Sequence, residues 1–167
     1  MITYRDPSAG FELPLPETWE LLEGPSGHFP EITDPEGRGP AIALIAVAPE
    51  GGEPFRPVLV VASEPHTGDV ELDGWVDAEL ERLRRSVNRL FVIDAEPVEI
   101  GGTAGWRTLA QHAVEGVGAV TLERWLLLDP SRGWTITAAS GTLEYAATAD
   151  ILSTAARGFR LVGEPVP

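Results

Sequence analysis

Few groupings of side chains in this 167-residue chain have the types and spacing that chemistry requires. Ser63, Glu64 and His66 bring a hydroxyl, a carboxylate and an imidazole into one short stretch, the ingredients of a hydrolase triad. A working triad also needs an oriented nucleophile and an oxyanion hole. The stretch is interrupted by Pro65 and has no Gly-x-Ser-x-Gly elbow, so ordinary turn residues are expected. Asp69, Glu71 and Asp73, followed by Gly74, imitate the first half of a calcium-binding loop. The bidentate acid that closes such a loop would fall on Leu80, with Glu79 and Glu81 one position off, so no metal site is expected. His28, His66 and His112 are scattered and lack the i,i+4 spacing of a helical zinc pair. His112 reads as a hydrogen-bonded structural histidine within a strand.

What the chain lacks narrows the chemistry further. It has no cysteine, and all twelve basic residues are arginine. Thiol nucleophiles, thiolate metal sites, Schiff-base lysines and a phosphate-loop lysine are therefore excluded together. No catalytic residue, cofactor or metal is expected. The formal net charge of −14 would repel nucleic-acid phosphates over most of the surface. The same charge keeps copies apart and predicts a monomer, or a weak homo-oligomer that salt would favour by screening. One concentration of positive charge stands out: Arg82, Arg85 and Arg89 on one side of a helix, with Arg84 beside them. They could contact a carboxylate or phosphate partner. The stronger reading is structural: they complement the helix dipole, with Glu81 and Arg85 forming an i,i+4 pair.

These residues must be positioned by a fold of one domain spanning residues 1–167. Area scaling gives about 8,000 Å² of folded surface against about 26,000 Å² unfolded, enough burial for a core without staples. Short strands are predicted at Ile2–Arg5, Gly10–Leu13 and Trp19–Leu22, with apolar runs at Ala41–Ala48 and Val58–Ala62. A helix is predicted from Gly74 to about Leu90. Val76, Leu80, Leu83, Val87 and Leu90 form its apolar face, and Asp73 stands ready to cap it. Four strands follow at Phe91–Ile100, Trp106–Val114, Ala119–Leu128 and Trp134–Ser140. A second helix covers about Glu144–Arg157, with Tyr145, Thr148, Leu152, Ala155 and Phe159 along one side. This order predicts an α+β fold, a mostly antiparallel sheet of six or seven strands flanked by two main helices.

Five tryptophans invite a register argument. If the turn at Glu115–Gly118 sets Val114 opposite Ala119, and a loop at Asp129–Arg132 sets Leu128 opposite Gly133, one face can be written out. Trp106, Leu127 and Trp134 form one row; Thr108, Trp125 and Ile136 form the next. Trp106, Trp125, Leu127, Trp134 and Ile136 then make a single apolar patch on three neighbouring strands. A helix laid over it would make it core. Left partly open, it would be a groove for a partner segment, with tryptophans as anchors.

The segment Gly10–Trp19, with Phe11, Pro14, Pro16 and Trp19, resembles the "F-x-hydrophobic-P-x-x-W" opening of the Mog1/PsbP-like superfamily. The long helix after the second hairpin, the Gly-Gly-x-x-Gly run at Gly101–Gly105 and the closing Gly158-Phe159-Arg160 also fit, and the likeness is to the bacterial DcrB/LpqN-like branch. The resemblance implies an antiparallel sheet flanked by helices. It also implies a non-catalytic binding domain, since relatives include a regulator of the Ran GTPase, photosystem II extrinsic subunits, secretion chaperones and mycobacterial lipoproteins. The expected function is protein or peptide binding, as an adaptor or as a chaperone for a secreted or membrane client. A carrier of a small apolar ligand or lipid comes second, and an enzyme last. The N-terminus has no basic flank followed by an apolar run, and no stretch approaches a membrane span. A cytoplasmic protein without stable membrane insertion is expected.

Overall fold

The computed structural model describes residues 1–22, 39–66 and 69–162. His28 and most of the loop expected at Glu23–Pro40 lie outside the described residues. The element order is β1 (Ile2–Asp6), β2 (Phe11–Leu15), β3 (Glu20–Leu21), β4 (Ala41–Val47), β5 (Val58–Pro65), α1 (Leu72–Ser86), β6 (Phe91–Ile100), β7 (Thr103–Val114), β8 (Gly118–Leu128), β9 (Arg132–Gly141), α2 (Tyr145–Arg157) and β10 (Arg160–Leu161). A seven-stranded sheet runs in the order β3-β4-β5-β9-β8-β7-β6, and β1, β2 and β10 make a separate three-stranded sheet. Every pairing is antiparallel. The architecture is the α+β arrangement expected from the order of periodic segments.

Successive side chains on a strand point to opposite faces, so the large sheet has two interiors. One face carries Leu59, Val61, Trp125, Leu127, Trp134 and Ile136. It is closed by α2 through Leu152, Ala155 and Ala156, and by Phe11, Leu13 and Phe159 from the small sheet and its approach. Phe11 stacks on Phe159 at 5.4 Å between ring centroids and meets Trp134 edge-on at 5.7 Å. Aromatic pairs of this kind contribute about 0.5–1.5 kcal/mol each beyond the area they bury. The other face carries Val58, Val60, Ala62, Val120 and Leu122 and is covered by α1 through Leu83 and Val87.

The α1 boundaries differ from expectation. The helix begins at Leu72 with Glu71 as N-cap and no side-chain capping bond, so Asp73 lies in the first turn and caps nothing. Because α1 starts inside the run Asp69–Gly74, a calcium loop has no room to close there.

The register of β7 is the larger correction. Val114 pairs with Gly118, and Trp106 pairs with Leu126 rather than Leu127. The turn is three residues, Glu115–Val117, closed by a Val117 N–H donated to the Val114 carbonyl at 3.2 Å, and Gly118 (φ 107°) absorbs the bend. One residue of slip moves every β7 side chain to the opposite face. The second turn behaves as expected, with Leu128 opposite Gly133 and Leu127 opposite Trp134.

Strand β6 forms one edge of the large sheet. It joins β7 through Gly101 and Gly102, both at positive φ (56° and 88°), a two-residue turn that makes Ile100 and Thr103 a hydrogen-bonded pair. Alternation from that pair turns the backbone of Ala95, Pro97 and Glu99 outward. The outward N–H of Ala95 is taken by the Asp94 carboxylate at 2.9 Å, and Pro97 has none. The middle of this edge is thus closed to an added strand. Gly101 is required for a second reason: a Cβ there would meet the Phe159 carbonyl oxygen at 2.1 Å, where the end of α2 returns to the sheet.

Candidate functional site

Two adjacent charges in β8, Glu123 and Arg124, organise the polar chemistry of the molecule. They cannot pair with each other, because neighbours on a strand face opposite ways. Both are buried, so each must find a partner in its own layer.

On the α1 face, Arg124 Nη2 donates to Glu79 Oε2 at 2.7 Å, and Arg124 Nη1 donates to the Glu79 carbonyl at 3.3 Å. Glu79 is 0% exposed and the Arg124 side chain 3%. Arg82 reaches Glu79 Oε1 at 2.5 Å and Glu64 Oε1 at 3.0 Å. Two carboxylates and two guanidiniums close on one another, with Thr108, Thr135 and Thr137 also buried on this face. A cavity of about 10 Å³ lies beside the pair, lined by Val76, Leu80, Leu83, Thr108, Arg124 and Leu126, which is room for about one water.

On the α2 face, Glu123 accepts hydrogen bonds from Arg107 Nε and from the Tyr145 hydroxyl, the latter at 3.0 Å. Arg107 Nη1 also reaches Glu96 at 3.1 Å and Asp94 at 3.4 Å, both on β6. Burial and the Glu123 charge push the Tyr145 phenol up to about 12. Burial works against the Arg107 charge, but the bond to Glu123 and its charge outweigh that and raise the guanidinium above its usual value. Three carboxylates around one guanidinium leave this cluster negative. Beside it, Phe91 is 67% exposed, Ile93 46% and Leu143 93%.

The residues singled out from sequence are distributed differently from the expected patch. Trp125, Leu127, Trp134 and Ile136 are brought together, at 0–1% exposure under the aromatic and helical cover, so they are core and no open groove. Trp106 is not with them. It packs on the opposite face near Trp75, Val76 and Leu126, the consequence of the shorter turn. Arg82 is committed to Glu79 and Glu64, which removes it from an anion site. Glu81 pairs with Arg84 at 2.8 Å, three residues on, rather than with Arg85. Among the described residues Arg85 and Arg89 are exposed and have no ion-pair partner.

Ser63 and Glu64 are successive strand residues on opposite faces, Ser63 opposite Trp134 and Glu64 turned to Arg82. His66 Nε2 is 2.9 Å from the Asp129 carbonyl. No triad geometry results. Asp129 accepts from the Trp134 indole at 2.7 Å and from the backbone N–H groups of Ser131 and Arg132 at 2.7 and 2.8 Å. Burial works against its charge, but these bonds hold its carboxyl below the usual carboxylate range. It lines an open cleft of about 440 Å³ with Ser8, Ser131, Arg132 and Leu161, but its own bonds already occupy it. Among the described residues no group of three or more His, Asp or Glu side chains is arranged to hold a metal ion.

Sequence reasoning assigned no buried polar pairing to Glu79, Arg107, Glu123, Arg124 or Tyr145. A signal was present: two charges in the otherwise apolar run Val120–Leu128, and Glu79 between Val76 and Leu83 on the buried stripe of α1.

No family model and no curated protein matches the chain. Solved structures do. Cyanobacterial PsbP (CyanoP) from Synechocystis sp. PCC 6803 superposes with a TM-score of 0.67 at 14% identity, over 96% of this chain and 91% of that one. LpqN of Mycobacterium tuberculosis, involved in cell envelope biogenesis, gives 0.66 at 17% identity, over 92% and 83%. The yeast (Saccharomyces cerevisiae) Ran-binding protein Mog1p gives 0.56 at 14%, over 92% and 90%. The fold is Mog1/PsbP-like. The likeness spans 92–96% of this chain, in keeping with the antiparallel sheet flanked by helices that the resemblance implied. No helix among the described residues of this Mog1/PsbP-like chain is long and apolar enough to cross a membrane.

Proposed function

We propose that the chain is a non-catalytic binding domain whose partner is a protein or peptide, acting as an adaptor or as a chaperone for a secreted or membrane client. The observation that carries this reading is the contrast between filled interiors and an uncovered end of the α2 face. Trp125, Trp134, Phe11 and Phe159 leave no exposure beneath α2, whereas Phe91 and Leu143 stand out in solvent. Large apolar side chains left in solvent on one surface are what interfaces use. The ion-paired clusters support the same reading, because each charged group in them is held by another side chain and none is aimed at a space where a substrate atom would sit. That one protein of this fold binds Ran and another serves envelope biogenesis is consistent with it. The cavity beside Glu79 has about the volume of one water, which speaks against an apolar-ligand carrier using that space.

The test is photo-crosslinking in the native host with a benzophenone amino acid at position 143, followed by purification of the crosslinked protein and titration against the full chain. A defined protein that binds the purified chain supports the reading. Crosslinks to no protein, with a small apolar molecule retained in native mass spectra, would replace it with the carrier.

A further inference from the structure

We infer that the uncovered end of the α2 face, between β6 and the start of α2, docks a basic amphipathic helix of a partner protein. This rests on the binding-domain reading and names the chemistry of the partner. Phe91 lies opposite Gln111, and Gln111 opposite Thr121. Gln111 Nε2 donates to Thr121 Oγ1 at 3.4 Å, and Thr121 Oγ1 bonds Thr142 Oγ1 at 3.1 Å, immediately before Leu143. Strand spacing sets Phe91 about 10 Å from Thr121, with Leu143 just beyond. Two exposed apolar side chains therefore flank a short polar strip.

The charge beside the strip selects the occupant. Asp94 and Glu96 are about half exposed, while Arg107 is largely buried and shared among three carboxylates. The surplus negative charge would receive lysine or arginine from a partner. A second copy of this chain is disfavoured, since it would bring the same acids and another −14 of net charge against them. An added strand is disfavoured by the closed middle of the β6 edge, where Ala95 N–H is occupied and Pro97 has no donor. A helix satisfies its own backbone and docks by side chains alone, so it suits a surface that offers no strand ladder.

The experiment uses the full chain and a synthetic peptide of about eighteen residues with leucines at i, i+3, i+4 and i+7 and lysines between, in about 0.15 M salt. Two control peptides are needed: the same composition with the spacing scrambled, and the same spacing with glutamate for lysine. Binding by the patterned basic peptide alone is expected. It should weaken at least about tenfold in Phe91→Ser/Leu143→Ser, whose exposed sites leave the fold intact by circular dichroism. It should weaken less, and lose part of its salt dependence, in Asp94→Asn/Glu96→Gln. Equal binding of the scrambled peptide, or no effect of Phe91→Ser/Leu143→Ser, overturns the inference, because binding would then be general attraction to an acidic surface. A natural partner from the crosslinking experiment that binds Phe91→Ser/Leu143→Ser as tightly as the unaltered chain also overturns it, yet leaves the binding-domain reading standing. Absence of any protein partner brings down both.

Discussion

The two faces of the large sheet solve the same problem with different materials. Beneath α2 and the small sheet, the packing centres on apolar rings, with Phe11, Trp134 and Phe159 in mutual contact, and the buried charge of Glu123 is held to one side by Arg107 and Tyr145. Beneath α1, burial includes a fully enclosed Glu79–Arg124 pair and the hydroxyls of Thr108, Thr135 and Thr137. The apolar face gains from area and from tight packing, neither of which demands one exact partner. The α1 face gains little net energy from its ion pair, because desolvation offsets most of the attraction. What the pair supplies is position: Glu79 has to sit over Arg124, which sets where along the sheet α1 lies. Trp75 reinforces this by lying against Gly133, where a Cβ would meet the indole at 2.3 Å.

Substitutions separate these two designs. The largest loss is expected for Trp134→Ala, about 3–5 kcal/mol, from lost burial plus a cavity in the ring cluster. Chemical denaturation with fluorescence detection measures it. Glu79→Ala should cost about as much, roughly 3–5 kcal/mol, by leaving Arg124 buried without its main partner. The decisive comparison is the double replacement Glu79→Leu/Arg124→Met, which should restore most of that stability because an apolar pair needs no desolvation. If the double variant is as unstable as the single one, the α1 face is held by the ion pair itself, and the contrast between the faces is mistaken.

Smaller effects sit at the margins of each face. His112 is buried on the α1 side, and burial lowers its pKa from the usual 6.5. The unfolded chain therefore takes up the proton first as pH falls. Stability contributed by the neutral imidazole is complete above about pH 6.5 and declines below it, toward the folded pKa. Thermal melts from pH 7.5 to 5 should show this decline, and His112→Gln should flatten it. On the other face, Tyr145→Phe removes a hydroxyl from Glu123 that Arg107 still holds, and should cost only about 1 kcal/mol. Alkaline titration of the tyrosine absorbance, with one phenol ionising near 12 and lost in Tyr145→Phe, checks the placement of that hydroxyl.

Much of the architecture was legible in the chain. Period-two runs located the long strands, and the i, i+3, i+4 spacing of Val76, Leu83 and Val87 located α1 and its buried stripe. Local patterns suffice there because the side-chain repeat of an element is a property of the element itself. The β8–β9 register also followed from its loop. The β7–β8 register did not, since Glu115–Gly118 accommodates either a three-residue loop with a glycine bulge or a wider one, and the choice relocates Trp106 by an entire sheet face.

The candidate site was less legible than the fold. Exposed Phe91 and Leu143 read in sequence as ordinary members of a strand and a turn, and only the path of α2 across the sheet leaves them uncovered. Composition and order alone determined that this is an acidic α+β domain without thiol or lysine chemistry, built on long antiparallel strands with two amphipathic helices. Tertiary structure decided which tryptophans share a face, that Glu123 and Arg124 serve opposite layers, and which apolar residues remain in water. The physical reason is one of range: residue type and periodicity act over a few positions, whereas pairing register, helix placement and burial are settled by segments tens of residues apart.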